Sequence, residues 1–136
     1  MKKKHEQNFP TIAIIIPYFG KFPNYFEFWL ESCRYNPTVD WFIFTDDRTE
    51  YNFPKNIHVF YFSFSEVVDM IQNKFDFDIS IPSPYKLCDF KPTRGSVFFD
   101  FVKDFDFWGF GDIDLIYGNI RSFLTSSILE NHDKIL

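Results

Sequence analysis

A chain of 136 residues is long enough for one hydrophobic core, and its 24% charged and 46% hydrophobic residues exclude a disordered or collagen-like polymer. A net charge of -5 gives no global attraction for polyanions, which argues against a nucleic-acid partner. The outlier is the aromatic share, 23% with 21 Phe, a bias that suits strands and bulky helix faces without naming a chemistry.

The basic run Lys2-Lys3-Lys4 precedes the apolar stretch Ile12 to Ile16, far shorter than the roughly 20 residues that span a bilayer and poorly flanked for a secretory signal. With only Cys33 and Cys88, no disulfide framework is expected, a reducing cytoplasm is the expected compartment, and both thiols read as small core residues.

Thr11 to Ile16 is a run β-branched at every position but Ala13 and ended by Pro17, the pattern of a strand buried on both faces in a parallel sheet. Phe26, Trp29, Leu30 and Cys33 then recur at helical spacing, in a helix that begins near Pro23 and is stopped by Asn36-Pro37. Trp41 to Thr45 reads as a second strand leading into Asp46-Asp47, and Ile57 to Phe62 as a third after a polar loop. Ser63-Phe64-Ser65-Glu66 is a capping box that opens a second helix with Val67, Val68, Ile71 and Phe75 on one face.

Ile79 to Pro92 holds Pro82, Pro84 and Pro92, so an ordered loop is expected there, with at most a short helical turn around Tyr85 to Asp89. A helix is predicted over Thr93 to Val102. A fourth strand follows that ends at or within Asp112-Ile113-Asp114, and an amphipathic helix over Ile120 to Leu129 comes last. Alternating strands and helices, with no internal repeat, imply a single α/β domain over residues 1–136. Its parallel sheet should be doubly wound, right-handed and Rossmann-like.

Asp112-Ile113-Asp114 is the sharpest motif. On an extended segment, residues two apart share a face while the one between points away, so the two carboxylates share one site. Oxygen ligands suit a hard divalent cation such as Mg²⁺ or Mn²⁺, which can bridge and neutralise a diphosphate. Solvated turn carboxylates are the plain alternative, but the neighbouring glycines and the apolar Leu115-Ile116 fit it poorly.

In open parallel sheets ligands bind beyond the carboxyl ends of the strands, where strand order reverses. Three turns are expected to meet there: Pro17-Tyr18-Phe19, Thr45-Asp46-Asp47 and the acidic pair. Tyr18 offers a ring to a base and Asp46 or Asp47 an acceptor to ribose or base. Packing for Tyr18 and an ordinary turn for Asp46-Asp47 remain the alternatives. Lys86, Lys91 and Arg94 are a basic cluster able to meet phosphate oxygens, or simply surface charge. His5, His58 and His132 lack zinc-ligand spacing. An aspartate-nucleophile phosphatase would carry its acidic pair after the first strand, and Gly109-Phe110-Gly111 lacks the third glycine of a dinucleotide fingerprint.

Four segments in order carry a family likeness. They are Ile12-Ala13-Ile14-Ile15-Ile16-Pro17-Tyr18-Phe19-Gly20; Asp40-Trp41 with Phe44-Thr45-Asp46-Asp47; Tyr85-Lys86-Leu87-Cys88-Asp89-Phe90-Lys91-Pro92; and Asp106-Phe107-Trp108-Gly109 with Gly111-Asp112-Ile113-Asp114-Leu115-Ile116-Tyr117-Gly118. Together they resemble bacterial polysaccharide-biosynthesis proteins, glycosyltransferases of the GT-A fold, many of them described only as a domain of unknown function. At Arg94 such relatives more often carry an aromatic residue.

The resemblance implies a nucleotide-diphospho-sugar donor, a UDP-sugar above all, with Mn²⁺ or Mg²⁺ at Asp112 and Asp114; the strand-end turns and basic cluster make Pro17, Tyr18, Phe19, Thr45, Asp46, Asp47, Lys86 and Lys91 the expected nucleotide-binding residues. It also implies a glycan or lipid-linked glycan acceptor and peripheral association with the inner face of the membrane. GT-A enzymes normally continue past the acidic motif into an acceptor half. This chain is therefore expected to be the donor-binding half, apparently truncated, with a non-catalytic nucleotide-sugar-binding remnant as the alternative.

Overall fold

The Ile-rich run forms the centre of the molecule in a computed structural model that describes residues 9–135. Lys2-Lys3-Lys4 and His5 lie outside the described residues, as does Leu136. The strands are β1 Ile12–Pro17, β2 Val39–Thr45, β3 Ile57–Tyr61 and β4 Phe107–Phe110. They pair in parallel in the order β3-β2-β1-β4. Order therefore runs outward from β1 through β2 to β3, then returns to the other side of β1, and the reversal lies between β1 and β4.

Period-two alternation sends β1 side chains to opposite faces, and each face has its own core. Ile12 and Ile16, with Trp41 and Ile43 of β2, pack under α1, Phe26–Arg34, through Phe26, Trp29, Leu30 and Cys33. Ala13 and Ile15, with Phe42 and Phe44, pack under α2, Phe64–Gln72, and under α3, Arg94–Val97, and α4, Phe99–Val102. The sheet is thus covered on both sides, as its apolar central strands require. The abundant Phe residues fill the second layer by stacking, with Phe44 and Phe98 rings 4.0 Å apart and Phe98 meeting almost no solvent.

The capping box forms as the sequence predicts: Ser63 Oγ accepts from the Glu66 amide and the Glu66 carboxylate accepts from the Ser63 amide. Phe75 falls beyond the end of that helix.

Four expectations change. The proline-containing stretch is loop only over residues 79–83, since Pro84–Thr93 is a 3-10 helix. Pro84 opens it, where an amide would have no partner in any case. The single helix over Thr93 to Val102 is broken at Phe98, whose φ of -102° and ψ of 24° separate α3 from α4 while its ring enters the core. The last predicted helix is a 3-10 turn, Ile120–Ser122, and then α5, Ser126–Asn131, because Asn119 and Thr125 each cap a new start with their side chains. Finally, Cys33 is buried in the core, but Cys88 is exposed. Burial pushes the Cys33 thiol up.

Among the described residues, no helix is long and apolar enough to cross a membrane.

Candidate functional site

β4 stops at Phe110, before the acidic pair, because a side chain enters where the β1–β4 ladder would go on. The last register pair is Ile15 with Phe110. Arg94 Nη1 donates to the Ile15 carbonyl at 3.1 Å and reaches the Gly111 carbonyl at 3.4 Å. The guanidinium thus bridges the diverging chains at the point where strand order reverses, the place where open α/β sheets bind ligands.

Asp112 and Asp114 therefore stand on a turn beyond the strand, and not within it, which corrects the extended geometry expected of them. The turn is nonetheless held in place. Ile113 is buried in the core beneath α1, and Trp29 Nε1 donates to the Asp112 carbonyl at 3.1 Å, so the backbone of the turn is anchored and its acids face away from the core. Gly111 leaves room there: a Cβ would run into the Tyr117 hydroxyl and press on Ile14 unless they shifted.

The anchored turn borders a cleft of about 390 Å³, within the size range of small-molecule sites. Ile16 to Phe19 and Gly111 to Asp114 form two of its walls, Tyr25 and Tyr85 supply rings, and Leu87, Cys88 and Arg94 complete it. Tyr85 is 82% exposed and so presents a nearly free face. Tyr25 is a lining residue with no signal in the sequence, and Cys88, expected in the core, lines the cleft instead. Tyr85 could have been found as the exposed aromatic beside the basic cluster.

Lys91 Nζ donates to Asp112 Oδ2 at 2.7 Å, and lies over the Phe110 ring, 5.9 Å from its centroid. Arg94 is 5% exposed and its Nε has no hydrogen-bond partner. Burial lowers the Arg94 pKa to about 10 against the opposing pull of Asp112, so the guanidinium stays charged at neutral pH. Burial likewise pushes the Tyr117 phenol up to about 12. The Asp114 carboxylate has no hydrogen bond or ion pair among the described residues.

The structure brings Pro17, Tyr18, Phe19, Asp112, Asp114 and Arg94 together in the cleft lining, with Lys91 attached through Asp112. Tyr18 stacks on Phe22 with ring centroids 5.2 Å apart and donates its hydroxyl to the Lys21 carbonyl, so packing holds its ring while one side meets the cleft. Phe19 is buried in the second core layer. Lys86 does not line the cleft and pairs on the surface with Asp89 at 3.1 Å.

The Thr45-Asp46-Asp47 segment forms a braced turn, the alternative left open beside a nucleoside contact. Asp46 Oδ1 accepts from the Gly20 amide and Asp47 Oδ2 from the Phe22 amide, both at 2.8 Å. Buried Thr45 accepts from the Asp47 amide. These acids brace the turn after β1 and do not line the cleft. Gly20, with φ of 91°, supplies the left-handed residue that this turn needs.

Desolvation raises the Asp47 carboxyl pKa, but hydrogen bonds from the Thr49 hydroxyl and the Phe22 and Thr49 amides, with attraction from Lys21, hold it below the ordinary carboxylate range. A carboxylate with a depressed native pKa contributes stability above its unfolded pKa of about 3.9, and that contribution is lost as pH falls through the native value. Asp47→Ala should therefore lower the urea midpoint at pH 7, and by a smaller margin at about pH 3. A stability difference that is the same at both values would show that the charge of Asp47 is irrelevant.

Among the described residues no group of three or more His, Cys, Asp or Glu side chains is placed to hold a metal by itself. Two carboxylates remain, a set that suits Mg²⁺ or Mn²⁺ when phosphate oxygens and waters complete the shell. One of their oxygens is engaged by Lys91 and Asp114 is uncommitted, so these residues fit such a shared site.

Compared with known protein families, residues 14–136 match a family of unknown function (DUF6625). No curated protein and no solved structure matches the chain.

Proposed function

The chain belongs to this family of unknown function, and from its cleft we propose that it binds a nucleotide-diphospho-sugar, in the first instance a UDP-sugar, as the donor-binding part of a metal-dependent glycosyltransferase of the GT-A type. One observation carries the reading: Asp112, Asp114 and Arg94 line one cleft with exposed tyrosine rings at the point of strand reversal, with Lys91 paired to Asp112. Acids and bases so close serve a ligand that brings both a cation and an anion, and a metal-bound diphosphate is such a ligand.

On this reading Tyr85 and Tyr25 offer faces on which a base stacks, and Pro17-Tyr18-Phe19 shapes the wall beside it. Asp112 and Asp114 hold Mn²⁺ or Mg²⁺, and Lys91 donates to the phosphates. Arg94 adds fixed positive charge from below. The bound cation would neutralise the diphosphate and so favour its departure. Sugar transfer to a glycan or lipid-linked glycan acceptor would then belong to polysaccharide biosynthesis, at the cytoplasmic face of the membrane.

Calorimetry tests the binding step. UDP should bind more tightly with Mn²⁺ or Mg²⁺ than with chelator, and Asp114→Asn should remove that gain. Equal affinity with metal and with chelator would end the reading. Incubation with UDP-sugars then separates the two levels of the proposal, since binding without hydrolysis or transfer makes the chain a donor-binding module and not a complete enzyme.

A further inference from the structure

Three charged side chains line the floor of the cleft, Asp112, Asp114 and Arg94, and a fourth, Lys91, is paired to Asp112 beside it. Their formal charges cancel. A divalent cation arriving alone would unbalance this set and would meet the Lys91 ammonium on an Asp112 oxygen that it needs. Like charges so close repel strongly away from bulk water. A diphosphate arriving alone would face two carboxylates. Cation and nucleoside diphosphate together bring +2 and about -3, so joint arrival leaves the floor close to balance.

The two basic residues differ in freedom. Arg94 is buried and its guanidinium is fastened to the carbonyls of Ile15 and Gly111. Lys91 is 23% exposed in its side chain and is held to Asp112 by one ion pair. An ammonium has three donors on a flexible stem, so it can leave one oxygen and reach another nearby.

We infer that Lys91 is an exchangeable counter-ion of Asp112: it neutralises the carboxylate in the empty cleft, gives way to the divalent cation, and then donates to the diphosphate. The inference rests on the proposed reading of the acidic pair as a metal site. Metal and nucleotide then bind cooperatively, and Lys91 both disfavours metal without ligand and adds to affinity for the ligand with metal.

Two titrations on the whole chain test it. Free Mn²⁺, counted by its electron paramagnetic resonance signal without nucleotide, reports the bare site, and calorimetry with UDP in Mn²⁺ reports the filled one. Lys91→Met should tighten Mn²⁺ alone by about fivefold, the scale of one partly exposed ion pair. The same variant should weaken UDP in Mn²⁺ by about tenfold, the scale of a hydrogen bond to a charged group. Lys91→Arg, which keeps the pair, should stay within about twofold of the parent for Mn²⁺ alone.

Unchanged or weaker Mn²⁺ binding in Lys91→Met overturns the exchange. If Asp114→Asn still removes the metal gain in UDP affinity, the metal-site reading stands without it. Tighter Mn²⁺ with unchanged UDP affinity overturns the transfer of Lys91 to the diphosphate. UDP binding in the parent that ignores Mn²⁺ overturns both the exchange and the reading beneath it.

Discussion

Asp112→Asn should weaken UDP in Mn²⁺ by about 1.5 to 3 kcal/mol, roughly 10- to 150-fold, while leaving uridine almost unaffected. The expectation follows from how the residue is held. Its backbone carbonyl is tied to the Trp29 indole and its neighbour Ile113 is sunk in the core, so exchanging carboxylate for amide should leave the turn in place. What changes is charge: the site loses half of its acidic pair, and Lys91 loses the partner at 2.7 Å. A nucleotide laid across the strand ends sets base and phosphates over different strands, about 4.8 Å apart per step, so the base should not sense the loss. Calorimetry with uridine and with UDP decides the matter. Equal weakening of the two ligands would mean that Asp112 shapes the whole cleft and not the diphosphate end alone.

Asn36→Ala should cost about 2 to 4 kcal/mol of stability, because it leaves one buried and two part-buried backbone groups without this partner. Asn36 is 4% exposed. Its Nδ2 donates to the Ser32 and Gly118 carbonyls and its Oδ1 accepts from the Ile120 amide, all at 2.9 Å. One side chain therefore clamps the end of α1 to the segment that follows the acidic turn. Asn56 extends the bracket, with its amide on the carbonyls of Cys33, Asn36 and Val39. Urea unfolding at pH 7 measures the loss, and hydrogen exchange should show the Ile120 amide opening ahead of the sheet. A loss below about 1 kcal/mol would mean that water replaces the amide at little cost.

The local signals in the chain were legible because each rests on a few adjacent residues. The isoleucine run of β1 needs burial on both faces wherever it lies, Ser63 and Glu66 cap one another three positions apart, and Asn36-Pro37 stops α1. Boundaries failed where two local options were close in energy. Prolines that discourage an α-helix are tolerated at the ends of the 3-10 helix Pro84–Thr93, and Phe98 gives up helical geometry to place its ring against Phe44.

The candidate site divides in the same way. Sequence alone supplied the acidic pair, the basic cluster before it, and a parallel α/β sheet whose strand ends should gather them. Tertiary structure alone decided that Asp46 and Asp47 brace the turn after β1, that Lys86 stays on the surface, and that Arg94 lies buried at the strand reversal. Partners explain the difference. Arg94 finds the Ile15 carbonyl 79 positions away and Asn36 the Ile120 amide 84 positions away, and contacts at that separation exist only once the sheet has aligned and its helices have closed over both faces.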